Sequence, residues 1–225
     1  PGIGDGRGGV GHPSLPPRID GPGLDPIGDV QDWLRSSQNK ERLKDFIGMV
    51  EDAQMALDDL IEQGSPSRML KAEAYYQIGW GLILQAETMQ GLSNEERMAK
   101  YAAAEKALLR SVWLNPKNPK AWEALSLAQL ELGKYEKAIA SASRALALDP
   151  NSAKAWEIIS WAQFKLGKYE EAIASATKAL ALDPGRAKAY WIRVQALKEL
   201  GRLNKDLSRF DSARILDDLK KCAVL

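Results

Sequence analysis

The chain has 225 residues, 45% of them hydrophobic and 27% charged, with a formal net charge of +1. That balance suits a buried core and excludes a strongly basic nucleic-acid surface. One cysteine, Cys222, and one histidine, His12, exclude an internal disulfide framework, and a reducing, cytoplasmic setting is the natural expectation. No run of about 18 apolar residues is present to span a membrane. The first residue is Pro1 rather than methionine, which reads as a trimmed or processed product or a fragment and leaves a signal peptide unjudged.

Residues 1–24 hold eight glycines and five prolines. Such a composition buries too little apolar surface to offset ordering entropy and predicts a disordered tail. Within it, Pro13-Ser14-Leu15-Pro16-Pro17-Arg18 fits the PxxPxR spacing that SH3 domains accept, and the alternative is a solvated linker. Residues 25–71 read as N-terminal helices. Asp25-Pro26 suits a helix start, and Ile27, Val30, Trp33 and Leu34 follow at helical spacing. Leu43, Phe46, Ile47, Val50, Leu57, Leu60 and Ile61 form a stripe at threes and fours, which predicts a long helix over roughly 39–63. Gly64 closes it, and Ser65-Pro66 is expected to cap and start the next.

Farther on the chain repeats itself. Set as two lines of 34, residues 119–152 and 153–186 are identical at 23 positions. Trp122 and Trp156 occupy the fourth place of each line, where a large ring can wedge between paired helices. Gly133 and Gly167 suit a helix end that needs the left-handed conformation. Tyr135 and Tyr169 follow them. Ala138, Ala145, Ala172 and Ala179 allow close helix approach, and Asp149-Pro150 and Asp183-Pro184 stop the second helix. Self-similarity at this period is the mark of a helical repeat array, and the pattern resembles the tetratricopeptide repeat. Two departures stand out: Gln129 and Gln163 replace the usual aromatic at the eleventh place, and Ala142 and Ala176 replace another at the twenty-fourth. Looser packing, or filling by the tryptophans, is expected there. The close identity of the two lines suggests recent duplication or a consensus-like design.

The resemblance implies an all-α, right-handed superhelical solenoid of antiparallel helix pairs behind a long N-terminal helical hairpin. Residues 72–118 align as an extended unit, with Tyr75, Ile78 and Gly79 at signature places and 13 extra residues placed around Thr88 to Lys100. Residues 187–221 align as a degenerate unit that keeps Tyr190 and Gly201, has Asp206 in place of an alanine, and ends in a capping helix over about 203–221.

The resemblance also implies a concave groove lined by the first helix of each unit. The corresponding residues are Glu73, Tyr76, Trp80 and Ile83; Lys120, Glu123, Leu127 and Leu130; Lys154, Glu157, Trp161 and Phe164; then Lys188, Trp191, Gln195 and Lys198. This floor is apolar and aromatic with lysines along one margin, and it suits a protein or peptide partner with apolar or amphipathic character. The alternative is that the rings are core, or lie under the chain's own first helix with Trp33 and Leu34. A carboxylate clamp for Hsp70 or Hsp90 tails is not expected: in either register a single lysine of the set survives, Lys188 with Glu123, Leu127, Ile158 and Ile192, or Lys154 with Tyr76, Trp80, Ala124 and Ile158.

No catalytic constellation is present. His12 and Cys222 sit at opposite ends, no zinc spacing occurs, and the Asp58-Asp59 and Asp217-Asp218 pairs read as solvated charges, so neither enzyme activity nor a metal or cofactor is expected. The natural function is an interaction scaffold or adaptor. Oligomerisation through the long hairpin is the alternative. A third reading comes from the end of the chain, where Cys222-Ala223-Val224-Leu225 after Lys220-Lys221 matches a prenylation pattern and offers Cys222 for lipidation and peripheral membrane attachment. A frayed helix end is the simpler account of it.

Overall fold

The computed structural model describes residues 46–62, 64, 67–203 and 218. Among them every regular element is a helix: α1 (Phe46–Glu62), α2 (Arg68–Thr88), α3 (Asn94–Leu114), α4 (Pro119–Glu131), α5 (Tyr135–Leu148), α6 (Ala153–Lys165), α7 (Tyr169–Leu182) and α8 (Ala187–Leu203). Each packs first on its neighbour in the chain, and α2, α4, α6 and α8 also touch one another in succession. No comparable packing joins α3 to α5 or α5 to α7. One wall of the array is thus continuous, made of the first helix of each pair, and the second helices lie outside it. The protein is a solenoid of antiparallel helix pairs.

The ends of these helices follow from their residues. Asn118 accepts backbone hydrogen bonds from Lys120 and Ala121 at the start of α4, with Pro119 in the first turn. Ser152 does the same for α6 through Ala155. A capping box closes the start of α3: Ser93 accepts from the Glu96 N–H while the Glu96 carboxylate accepts from the Ser93 N–H. Gly133 and Gly167 have φ of 72° and 76°, values that a side chain would strain, and they turn the chain from α4 into α5 and from α6 into α7.

The first pair is the longest. Helices α2 and α3 have 21 residues each, against 13 and 14 in the two pairs that follow. They approach closely at Gly79, where an added Cβ would lie 2.5 Å from Leu108 Cγ. The residue that caps α2 is Ser67, which accepts from the Leu70 N–H, rather than the expected Ser65. Helix α8 runs through Gly201 to Leu203, so the helix does not end at that glycine as its counterparts do at Gly133 and Gly167.

Burial follows the repeat. A central cluster joins α2 through α6, with Leu108, Leu125, Ile158 and Ile159 among its large members and Ala138, Ala142, Ala145 and Ala162 among its small ones. Leu57 and Leu60 of α1 seal the N-terminal end against Ala74 and Ile78, whereas Ile47 and Ile61 of the same stripe are exposed. At the other end Tyr190 packs on Ala179 and Leu180. The buried Arg193 guanidinium there donates from Nε to Asp218 at 2.7 Å, so Asp218 is a buried, paired carboxylate and not the solvated charge expected of it.

Candidate interaction surface

Along the continuous wall, the positions expected to line a groove separate into two groups. Ile83, Leu127 and Leu130 are 0%, 6% and 4% exposed and belong to the central cluster, so they are core and not contact surface. The physical reason is packing: α4 touches both α2 and α6, and the rings of Trp80 and Trp161 pack against the cluster that holds the aliphatic side chains of α4. Lys120, Lys188, Trp191 and Lys198 are exposed. Glu73, Tyr76, Trp80, Glu123, Lys154, Glu157, Trp161, Phe164 and Gln195 are half-buried.

The aromatic residues come together at the C-terminal part of the wall. Trp161 of α6 and Trp191 of α8 stack with centroids 5.2 Å apart and planes at 23°. Phe164 meets Trp191 edge-on at 6.3 Å and reaches Tyr169 at 5.7 Å. Trp191 remains 40% exposed. Two ammonium groups attend the Trp161 ring, Lys188 at 5.0 Å and Lys165 at 5.3 Å from its centroid, within cation–π range. Lys165 is an addition to the expected set, and its place beside the ring follows from lying one helical turn beyond Trp161.

Trp80 lies apart from this group, in the first pair, with the Lys154 ammonium 4.4 Å from its centroid. Lys154 belongs to the third pair, so the side chains of α2 and α6 close over α4 there. Glu123 accepts from Ser152 and faces Lys154 at 3.9 Å, and Glu157 accepts from Arg186 Nε at 2.8 Å. Ser152 and Arg186 stand just before α6 and α8, so each of these glutamates ties its helix to the start of the next wall helix. Burial raises the Glu87 carboxyl above its ordinary range, opposed by Lys154 and Lys188. Burial also pushes the Tyr101 phenol up to about 12, helped by the Glu131 and Glu87 carboxylates.

The fourth-place aromatics Tyr75 and Trp156 face the second helix of their own pair. Trp156 carries the Lys178 ammonium 4.3 Å from its centroid, and Tyr75 carries the Arg110 guanidinium at 5.4 Å and accepts from it through its hydroxyl at 2.8 Å. Trp122 donates from its indole N–H to the Pro116 carbonyl at 2.9 Å. Pro13 to Arg18, His12, Trp33, Leu34, Asp206 and Cys222 lie outside the described residues. Among the described residues there is no group of three or more His, Cys, Asp or Glu side chains that could hold a metal, and no helix long and apolar enough to cross a membrane.

Comparison with known proteins agrees with this architecture. Residues 97–179 match the family described as anaphase-promoting complex, cyclosome, subunit 3, and residues 159–218 match the tetratricopeptide repeat family. No curated protein sequence matches the chain. Among solved structures, a crystal structure of MamA is 20% identical with a TM-score of 0.61, covering 84% of this chain and 97% of its own. MamA residues 41 to the end from Desulfovibrio magneticus RS-1 are also 20% identical, with a TM-score of 0.61 over 87% of this chain and 94% of that one. At such identity these likenesses concern the fold. Families of this kind are in general non-enzymatic modules that hold protein partners. Across the matched residues 97–218 the chain is built of tetratricopeptide-type repeats.

Proposed function

We propose that this chain is a non-enzymatic scaffold that holds an apolar or amphipathic segment of a protein partner against the inner wall, around Trp80, Trp161 and Trp191. The observation that carries the reading is the stack of Trp161 on Trp191, which comes from two different units and leaves Trp191 open to solvent. Tryptophan buries large area at low conformational cost and often dominates the energetics of an interface. Phe164 extends the apolar surface, and Lys188 and Lys165 border it. A fluorescence titration of the chain with a partner captured from cell extract tests the reading. A shift or quenching of tryptophan emission that disappears in Trp191→Phe supports it, and an unchanged spectrum at saturation overturns it.

A second reading is self-association through the long hairpin of residues 39–114, favoured by the exposure of Leu109 and Trp113 one turn apart on α3. Sedimentation showing a monomer at high concentration removes it. Recruitment to a membrane rests on lipidation of Cys222, and finding only the unmodified mass after expression in a eukaryotic cell ends that idea.

A further inference from the structure

The outer side of the array carries a second, separate feature. Pro116, Trp122, Arg144, Ala147 and Leu148 line a pocket of about 370 Å³ between the start of α4 and the end of α5. That volume falls within the range of sites that hold small ligands or one or two side chains. Its lining is mostly apolar, with Arg144 as the charged group at its border.

Its meaning comes from the repeat. One period later the same places hold Pro150, Trp156, Lys178, Ala181 and Leu182. There the protein fills its own site, since the Lys178 ammonium lies on the Trp156 ring at 4.3 Å. In the first pair Arg110 likewise lies on Tyr75. Each of these pairs joins its two helices by placing a cation of the second helix on an aromatic ring of the first. The Trp122 pair departs from that pattern, because Arg144 borders the pocket instead of covering the ring. The Trp122 indole N–H is already spent on Pro116, so what the ring offers an occupant is its face.

We infer that this pocket is a binding site for a partner segment that presents an apolar or aromatic side chain flanked by carboxylates. The apolar side chain stacks on Trp122 and against Leu148 and Ala147. A flanking carboxylate pairs with Arg144, whose planar fork suits a carboxylate. The choice of an acidic flank rests on Arg144 being the one formal charge in the lining. This site is independent of the inner wall, because none of its lining residues belongs to the Trp161 and Trp191 group.

The test uses the full chain and two capped hexapeptides, Ser-Asp-Leu-Phe-Asp-Ser and its amide counterpart Ser-Asn-Leu-Phe-Asn-Ser. Binding is read from the indole N–H signals in nuclear magnetic resonance spectra, with Trp122 assigned by Trp122→Phe. The acidic peptide is expected to shift the Trp122 signal saturably and to bind about two- to fivefold more tightly than the amide peptide, as a solvent-exposed ion pair predicts. Arg144→Glu, a change at an exposed position, is expected to abolish that preference while leaving the other indole signals in place. The inference is overturned if Trp122 does not respond, if both peptides bind equally, if Trp156 responds as strongly, or if the preference survives in Arg144→Glu. A Trp122 signal that moves with protein concentration alone would assign the pocket to a second copy of the chain and would also overturn it.

Discussion

Gln129 Oε1 accepts a 2.7 Å hydrogen bond from Ser141 Oγ, and one period later Gln163 accepts the same bond from Ser175 at 2.7 Å. Glutamine stands where the tetratricopeptide pattern usually has an aromatic ring, and each is tied to the second helix of its own pair. Gln129 is buried, and Ala142 and Ala176 are fully buried. Ser141→Ala leaves the buried Gln129 carbonyl without its partner and should cost about 1–3 kcal/mol of stability in urea denaturation. Ser175→Ala should cost less, because Gln163 is only half-buried and also donates to Glu171. Equal losses from the two changes would contradict this account.

The contact of Gly79 with Leu108 sets how closely α2 and α3 approach. An alanine at position 79 would drive its methyl into Leu108 Cγ, and overpacking of this kind costs typically about 1–3 kcal/mol. Gly79→Ala should therefore lower the thermal midpoint, and Gly79→Ala combined with Leu108→Ala should lose less than the sum of the single changes. Strict additivity in that cycle would mean that the two residues do not share a contact.

Alkaline pH should act through Tyr101. Its folded-state phenol is raised to about 12 from an ordinary 10.0, first by burial and then by the Glu131 and Glu87 carboxylates. The contribution to stability is then fully present below about pH 10 and is lost as pH rises through the folded value near 12, because the unfolded chain ionises first. Stability measured by denaturant across that window should fall in the parent chain, and Tyr101→Phe should flatten the part of the fall that belongs to this group. A fall of identical depth in the variant would show that Tyr101 does not contribute.

The repeats were legible because each signature residue answers a local geometric demand: a glycine for the left-handed turn, an alanine for a close helix, a proline for a stop. These demands are written at fixed spacing and need no knowledge of neighbours. The wall was only partly legible, since whether a side chain is floor or core depends on what the neighbouring units pack against it. Ile83 and Leu130 share a place with the exposed Lys198, and Leu127 shares one with the half-buried Trp80, Trp161 and Gln195, yet all three belong to the central cluster. The stack of Trp161 on Trp191 joins two units, a contact that no spacing within one repeat encodes.

The inner wall is tested most directly by partner capture from cell extract with the intact chain, with Trp161→Ala combined with Phe164→Ala, and with Trp113→Ala. Trp113 is 72% exposed and belongs to α3, outside the wall, so it controls for the loss of any exposed indole. The scaffold reading predicts that the double variant keeps the parent's helical circular dichroism but loses its partners, whereas Trp113→Ala retains them. Undiminished capture by the folded double variant would contradict it.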